Sequence, residues 1–245
     1  MIEMSGLFYQ LGRLAGPKIR KAQWMWAATT ASEDEAIAAE RLAGADLAGY
    51  IRQQRRACAD THITELLAKT GDALSARVKD KRRRFTFLCL SGDQPEAFCL
   101  PGGFVFVSRA MITLCEENAD QLAFVLAHEM AHVISGHVME RMIGSAVIQA
   151  AAKTGTVWRA ATGTLGKLGV QFLEKAYSRE QELAADALGL RLTLAAGFDG
   201  QAAVRVFETL AQQEQGGGPG KYFSTHPECR ERIAHLRQLL RERPK

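Results

Sequence analysis

Apolar and polar positions change their spacing along this chain, and each change predicts a different kind of element. In the first third, apolar side chains recur every three or four residues, which is typical of amphipathic helices and predicts helices at 33–56 and 61–78. Ser32 and Glu35 form a capping box ahead of the first of these helices. Aromatic and β-branched residues then alternate between glycine and proline breaks over 85–107, which predicts two or three short strands.

Helical spacing returns after these strands and continues almost to the end of the chain. The helices predicted there are 108–116, 119–140, 172–196, 200–214 and 227–241. An insertion at 142–177 and a glycine-rich loop at 216–220 interrupt the pattern, and either segment could gate a cleft. We therefore expect the α+β class: a mainly α-helical domain with one small β-sheet.

Residues 1–31 form an N-terminal arm with a different composition. The arm mixes apolar and basic residues and ends in two tryptophans, Trp24 and Trp26. Such a segment could make peripheral contact with a membrane surface, or it could pack its aromatic side chains onto the core of the following domain. The packing interpretation is favoured, and residues 32–245 are expected to form the main domain.

The cysteines and the lack of long apolar segments bear on the cellular compartment of the protein. The five cysteines include no CxxC pair, and no segment contains 18 consecutive apolar residues. These features predict reduced thiols, no secretory leader and no transmembrane anchor. The expectation from them is a cytoplasmic protein, in peripheral contact with a membrane if the arm binds one.

The charge of the chain is mildly basic, with a net charge of +4 and 31 lysine and arginine residues. The densest basic run, 79–84, is interrupted by Asp80 and leads directly into the first predicted strand. A solvated lead-in to a strand is the favoured interpretation, so no nucleic-acid partner is predicted.

The most informative motif is HExxH, formed by His128, Glu129 and His132 within a strongly apolar helical segment. Residues four apart on an α-helix differ by about 40° in direction and about 6 Å in height, so both imidazoles emerge on one face. Glu129 lies about 100° around the helix, where its carboxylate can reach a water held by the same ion. Burying these groups without a partner would be costly, which favours a metal site.

A catalytic zinc needs a third protein ligand and one open position. His137 would point away on a continuing helix, and the pattern HExxHxxGxxH does not fit, so His137 is expected to be a surface histidine or one that supports a ligand. Glu182 and Asp186 share a face of a later helix. That spacing suits Glu182 as the third ligand of a single Zn²⁺ per chain, and Asp186 as the acceptor that orients a ligand histidine.

Four motifs together resemble the HtpX-like and CAAX-prenyl-endopeptidase family of zinc metallopeptidases over about 85–236. They are Ala97-Phe98 with Leu100-Pro101-Gly102-Gly103 and the following strand, HExxH at 128–132, Ser178-Arg179 with Glu182 and Ala185-Asp186, and Thr225-His226-Pro227 with Arg232-Ile233. The resemblance implies a gluzincin (zincin-like) fold with Glu182 as a ligand. It also implies that the strand Phe104, Val105, Phe106 and Val107 is a sheet edge that binds extended substrate, with His226 and Arg232 near the scissile carbonyl.

His226 has two open roles under this resemblance: it stabilises the oxyanion, or it occupies the metal before substrate arrives. Many members of the family carry membrane-spanning helices between the two zinc motifs, where this chain has the segment 142–177, so a prenylated or transmembrane substrate does not follow.

The sequence thus predicts a zinc-dependent endopeptidase that cleaves peptides or unfolded proteins, with Glu129 as general base. The alternative is a non-catalytic zinc module that supports a chaperone-like or membrane-surface function. A structural zinc usually has four protein ligands, commonly cysteines, and no cysteine adjoins the motifs.

Overall fold

The computed structural model describes residues 32–143, 173, 176–215, 222, 225–226 and 229–242. The chain divides into two units, residues 1–39 and 40–245. The expected arm at 1–31, most of the insertion at 142–177 and the loop at 216–220 lie outside the described residues. The predicted domain boundary and the gating roles therefore stay predictions.

A mixed three-stranded sheet forms the β part of the described fold. Its strands are β1 (Thr86–Leu90), β2 (Ala97–Leu100) and β3 (Phe104–Ser108). β3 lies in the centre, parallel to β1 and antiparallel to β2. A 3₁₀ turn joins β2 to β3, and its Gly102 and Gly103 adopt φ of 69° and 86°, a left-handed conformation that glycine adopts without strain.

The sheet topology corrects the expectation that Phe104, Val105, Phe106 and Val107 form a sheet edge. Their backbone is paired with β1 on one side and β2 on the other, and all four side chains are buried. The strand therefore has no free edge to offer an extended substrate. The local pattern predicted the strand correctly, but its neighbours depend on pairing between distant residues.

Two helices precede the sheet: α1 (Glu33–Gln54) and α2 (Thr61–Ser75). The Asp60 side chain caps α2 by accepting the Ile63 N–H at 3.3 Å. Both helices are slightly shorter than the sequence pattern predicts.

The end of β3 leads directly into the helices of the active-site region. Ser108 caps α3 (Arg109–Leu114) by accepting the Met111 N–H at 3.1 Å. α4 (Ala119–Ile134) follows, capped by Asn118, and every residue from Gln121 to Val133 is buried. Gly136 has a φ of 76°, which ends α4 and separates it from α5 (His137–Ile143). The single helix predicted at 119–140 is therefore two helices.

Three further helices pack around this centre. They are α6 (Arg179–Ala195), α7 (Gln201–Gln215) and α8 (Cys229–Arg241). α6 makes the most extensive contact with α4, α7 also packs on α4, and α8 packs on α6 and α7. The α+β prediction, mainly helical with a small sheet, is confirmed. None of the helices in the described ranges combines the length and apolar character needed to cross a bilayer.

Two glycines in α1 give a matched test of how this helix packs. A Cβ at Gly44 would lie 1.8 Å from the Pro101 carbonyl oxygen, whereas a Cβ at Gly49 would meet nothing within 4 Å. Gly44→Ala should therefore destabilise the protein by about 1–3 kcal/mol through overpacking. Gly49→Ala should stabilise it by about 0.5–1 kcal/mol, because alanine favours a helix interior.

Chemical denaturation of the two variants and the parent protein measures this difference. Equal effects of the two substitutions would contradict the close approach of α1 to the turn before β3.

Candidate metal centre and active site

His128 and His132 project from the buried face of α4 and meet each other. Their Nε2 atoms are 3.0 Å apart, and both side chains are completely buried. The one-turn spacing of the motif therefore brings two imidazole nitrogens to one point, as the helical geometry predicts.

Glu182 reaches the same point from α6. The helix begins at a capping box between Ser178 and Gln181, which places Glu182 in its first turn. Its Oε1 lies 3.4 Å from His132 Nε2 and its Oε2 lies 3.5 Å from His128 Nε2.

A small residue allows α6 to approach α4 so closely. A Cβ on Gly189 would lie only 3.0 Å from the His128 backbone nitrogen. Any larger side chain at this position would push the two helices apart beside the first histidine of the motif.

His226 completes the cluster. Its Nδ1 lies 3.0 Å from Glu182 Oε1 and 3.4 Å from His128 Nε2. One donor atom from each of His128, His132, Glu182 and His226 falls within 4.8 Å of the others, and all four side chains are buried. Two or three imidazoles with a carboxylate are a donor set that zinc accepts in tetrahedral geometry, so these residues fit the ion that the sequence predicted.

Asp186 and Arg232 support His128 from the other side of its ring. Asp186 Oδ1 lies 3.0 Å from His128 Nδ1, so the Nδ1–H donates to the carboxylate and Nε2 faces the other donors of the cluster. Arg232 donates from Nε and Nη2 to the two oxygens of Asp186 at 2.8 Å and 2.7 Å, and its Nη1 lies 2.5 Å from Glu182 Oε2.

Arg232 is only 1% exposed, and its guanidinium also lies over the Phe207 ring at 4.2 Å. These contacts favour a role in positioning Asp186 and Glu182. Contact of Arg232 with the scissile carbonyl stays an untested prediction, and the burial of its guanidinium does not support it.

The electrostatics of the cluster follow from this burial. Burial and Arg232 lower the pKa of His128, but hydrogen bonds with Asp186 and Glu182 outweigh them and raise it to about 9. Burial opposes ionisation of Glu182 and Asp186, yet Arg232 and the histidines hold the pKa of both carboxyls below the usual range. Burial also lowers the pKa of His132. Both carboxylates therefore stay ionised, His132 is neutral, and His128 carries a proton on Nε2 that a metal ion has to displace in order to bind there.

Glu129 points into the same enclosed space without joining the four donors. Neither of its carboxylate oxygens has a hydrogen-bond partner of standard geometry among the described residues, although His226 Nε2 lies 3.4 Å from Oε1. The Cys99 thiol of β2 also lies beside this carboxylate. A fully buried carboxylate in this setting is costly unless water or a cation compensates it.

Three aromatic or histidine side chains at the site carry no motif of their own. His137 is buried, and its Nδ1 lies 3.1 Å from His132 Nδ1. Of the two expectations for His137, a surface histidine or a histidine that supports a ligand, the structure agrees with the second. Tyr177 stacks on His132 with ring centroids 3.7 Å apart, and Tyr222 stacks on His226 at 4.6 Å. Neither tyrosine was predicted from the sequence to have a role. The one sequence feature that could have indicated them is their position close to the Ser178 and His226 motifs.

Comparison with known proteins identifies the family. The model of Peptidase family M48 matches residues 59–240, which is more than half of the chain. The chain belongs to peptidase family M48. M48 peptidases use zinc, which agrees with the cofactor predicted from the sequence.

Curated relatives refine this assignment. The chain is 35% identical over 150 residues to the mitochondrial metalloendopeptidase OMA1 of Schizosaccharomyces pombe, covering 60% of this chain and 44% of the relative. It is 29% identical over 206 residues to the beta-barrel assembly-enhancing protease of Escherichia coli, covering 77% of this chain and 42% of the relative. The chain thus spans less than half the length of these relatives.

Two expectations change with these relatives. The resemblance is confirmed at the level of the M48 family, but the relatives carry the names OMA1 and beta-barrel assembly-enhancing protease, and not the HtpX or CAAX-prenyl-endopeptidase names. The cytoplasmic location is wrong, because the OMA1 relatives from two yeasts and Arabidopsis thaliana are mitochondrial by name. The cysteine pattern, with no CxxC pair, was therefore not a reliable predictor of the cellular compartment.

The contact between Asp186 and His128 yields a test of the M48 centre. Asp186→Asn keeps the side-chain volume but removes the charge that fixes the His128 tautomer. Zinc affinity should fall by about 10- to 100-fold, as is typical when the partner of a ligand histidine is lost.

Competition with a chromophoric chelator measures the affinity. Glu208→Gln, which removes a carboxylate from an exposed ion pair with Arg237, is the control and should leave the affinity unchanged. Unaltered zinc affinity in Asp186→Asn would show that this contact does not support the site.

Proposed function

We propose that this chain is a zinc-dependent endopeptidase in which His128, His132 and Glu182 hold the ion and Glu129 acts as general base. The observation that carries the proposal is the convergence of two imidazoles and a carboxylate from α4 and α6 beside the buried Glu129 carboxylate, which has no hydrogen bond of standard geometry in the described part of the chain. Membership of the M48 family supports the same chemistry. The substrates are peptides or proteins.

The buried carboxylates of the site support a cation. Glu129, Glu182 and Asp186 are buried, and Arg232 contacts Glu182 and Asp186. A divalent cation among the four donors would add positive charge beside Glu182. When bound, zinc acts as a Lewis acid that polarises the scissile carbonyl and lowers the pKa of a coordinated water.

Glu129 is placed to move the proton in this reaction. As general base it accepts a proton from the attacking water, and it then returns that proton to the nitrogen of the leaving amine. Its freedom from strong hydrogen bonds leaves both oxygens available for this transfer.

His226 occupies the fourth position in the resting protein under this proposal. The distance of 3.0 Å between its Nδ1 and Glu182 Oε1 supports this assignment, because two ligands of one ion have their donor atoms close together. A catalytic zinc needs one position open to substrate, so His226 has to leave before cleavage. An oxyanion role after this movement stays compatible with the proposal.

Extended substrate would pair with β2 under this proposal and not with β3. β2 is an edge of the described sheet, it packs on α4, and its Cys99 lies beside Glu129. A peptide strand added there would run past the general base. Since all four residues of β2 are buried, this edge also has to open, as the metal site does. Peripheral membrane contact through the arm at 1–31 stays a prediction.

The first test of this function is Glu129→Gln. The substitution keeps the side-chain volume but removes the proton acceptor, so the rate of peptide cleavage should fall by at least about 10²–10⁴-fold. Zinc content should stay at one ion per chain. Unbiased peptide profiling of the zinc-loaded variant and the parent protein measures the rate, and retained turnover would reject the role of Glu129.

The second test separates the two roles of His226. His226→Phe should remove a resting ligand, so the zinc dissociation constant should rise by roughly 10-fold or more, by analogy with the loss of a supporting residue. X-ray absorption spectroscopy at the zinc edge should show one imidazole ligand fewer than in the parent protein. Unchanged zinc affinity with a loss of kcat would instead favour the oxyanion role.

A non-catalytic zinc module is the competing function, and the four-membered cluster is the observation that favours it. Four permanent protein ligands would close the site to substrate. Absence of cleavage by the zinc-loaded parent protein across the peptide library, together with permanent ligation by His226, would support this alternative.

A further inference from the structure

Two buried thiols lie opposite one another at the end of β1, outside the metal centre. Cys89 belongs to β1, and Cys58 belongs to the connection between α1 and α2. The Cys58 N–H donates to the Cys89 carbonyl at 3.0 Å, and an antiparallel bridge pairs the neighbouring residues Ala57 and Leu90. The register of this short ladder sets Cys58 directly across from Cys89.

This register meets the geometric requirement of a disulfide bond. Residues directly opposite in an antiparallel pair have Cα atoms about 4.5–5.5 Å apart, with side chains on the same face of the sheet. Disulfides span Cα separations of about 4.4–6.8 Å. The Cα separation of such a pair therefore falls within the range that a disulfide bond spans.

The two thiols already interact in the reduced protein. Burial raises the pKa of the Cys89 thiol to about 12, and the neighbouring Cys58 thiol adds to the rise. Both cysteines are free thiols here. Cys89 is therefore protonated at neutral pH and does not start a reaction, whereas Cys58 lies between two exposed residues, Ala57 and Ala59, in a short connection.

We propose that Cys58 and Cys89 form a redox-active pair that closes to an intramolecular disulfide under a small-molecule disulfide oxidant such as oxidised glutathione. The Cys58 thiolate attacks one sulfur of the oxidant, forms a mixed disulfide and releases one reduced thiol. The Cys89 thiol then loses its proton and displaces the second reduced thiol. Two protein thiols are oxidised, one oxidant molecule is reduced to two thiols, and the protons are conserved.

The disulfide would act on the part of the fold that supports the metal centre. It closes the segment from Cys58 to Cys89, which contains α2, and α2 packs on α4, the helix of the HExxH motif. Because a crosslink restricts the unfolded chain, oxidation should raise the Tm by roughly 5–10 °C. The site is independent of peptidase activity, so the proposal can fail while the proposed function holds.

Thiol mapping of the full chain tests the proposal. The reduced, zinc-loaded protein is equilibrated in buffers of graded oxidised-to-reduced glutathione ratio, its remaining thiols are alkylated, and its tryptic peptides are identified by mass spectrometry. Cys58 lies in the peptide 57–69, and Cys89 shares the peptide 85–109 with Cys99, so fragmentation between the latter two is needed to place the bond. A crosslink from Cys58 to Cys89 is expected, with a higher Tm in the same samples.

Matched serine variants complete the design. Cys89→Ser should abolish the crosslink and the oxidation-dependent rise in Tm, whereas Cys115→Ser, which removes another buried thiol, should leave both unchanged. Complete alkylation of Cys58 and Cys89 at the most oxidising ratio would overturn the proposal. So would glutathione adducts on both cysteines, or a crosslink from either one to a different cysteine.

Discussion

Three carboxylates are buried between α4 and α6, and their charge constrains how these two helices pack. Glu129, Glu182 and Asp186 are at most 1% exposed, and a buried carboxylate is stable only when it is paired, hydrogen-bonded or bound to a metal. Arg232 supplies one positive charge through a bidentate contact with Asp186 and an ion pair with Glu182. His128, His132 and His226 all lie around the Glu182 carboxylate, and a divalent ion fits among these donors.

The scaffold meets this constraint by bringing helices unusually close together. Gly189 allows α6 to approach the backbone of α4 at His128, and the capping box of α6 fixes the turn that carries Glu182. The cluster also joins distant parts of the chain: the Tyr177 N–H donates to the Thr225 carbonyl at 3.1 Å, which ties the residue before the capping box to the residue before His226. Stacking of the two tyrosines on His132 and His226 then limits how these rings can turn.

Local patterns predicted the parts of this protein that depend on local physics. Helical spacing placed the two histidines of α4 on one face, and the same reasoning placed Glu182 and Asp186 together on α6. Patterns could not show that β3 is central, because strand order depends on pairing between distant residues. Periodicity also ran through Gly136, whose left-handed backbone ends α4. Tyr177 and Tyr222 became visible only in three dimensions, because stacking leaves no spacing signal in the sequence.

One zinc ion is expected between α4 and α6, with His128, His132 and Glu182 as ligands. Anomalous diffraction from zinc-loaded crystals, recorded at the zinc absorption edge, locates the ion. One strong peak per chain is expected, about 2.0–2.2 Å from a nitrogen of each histidine and an oxygen of the glutamate. A peak elsewhere in the molecule, or crystals that stay free of zinc when the ion is supplied, would contradict it.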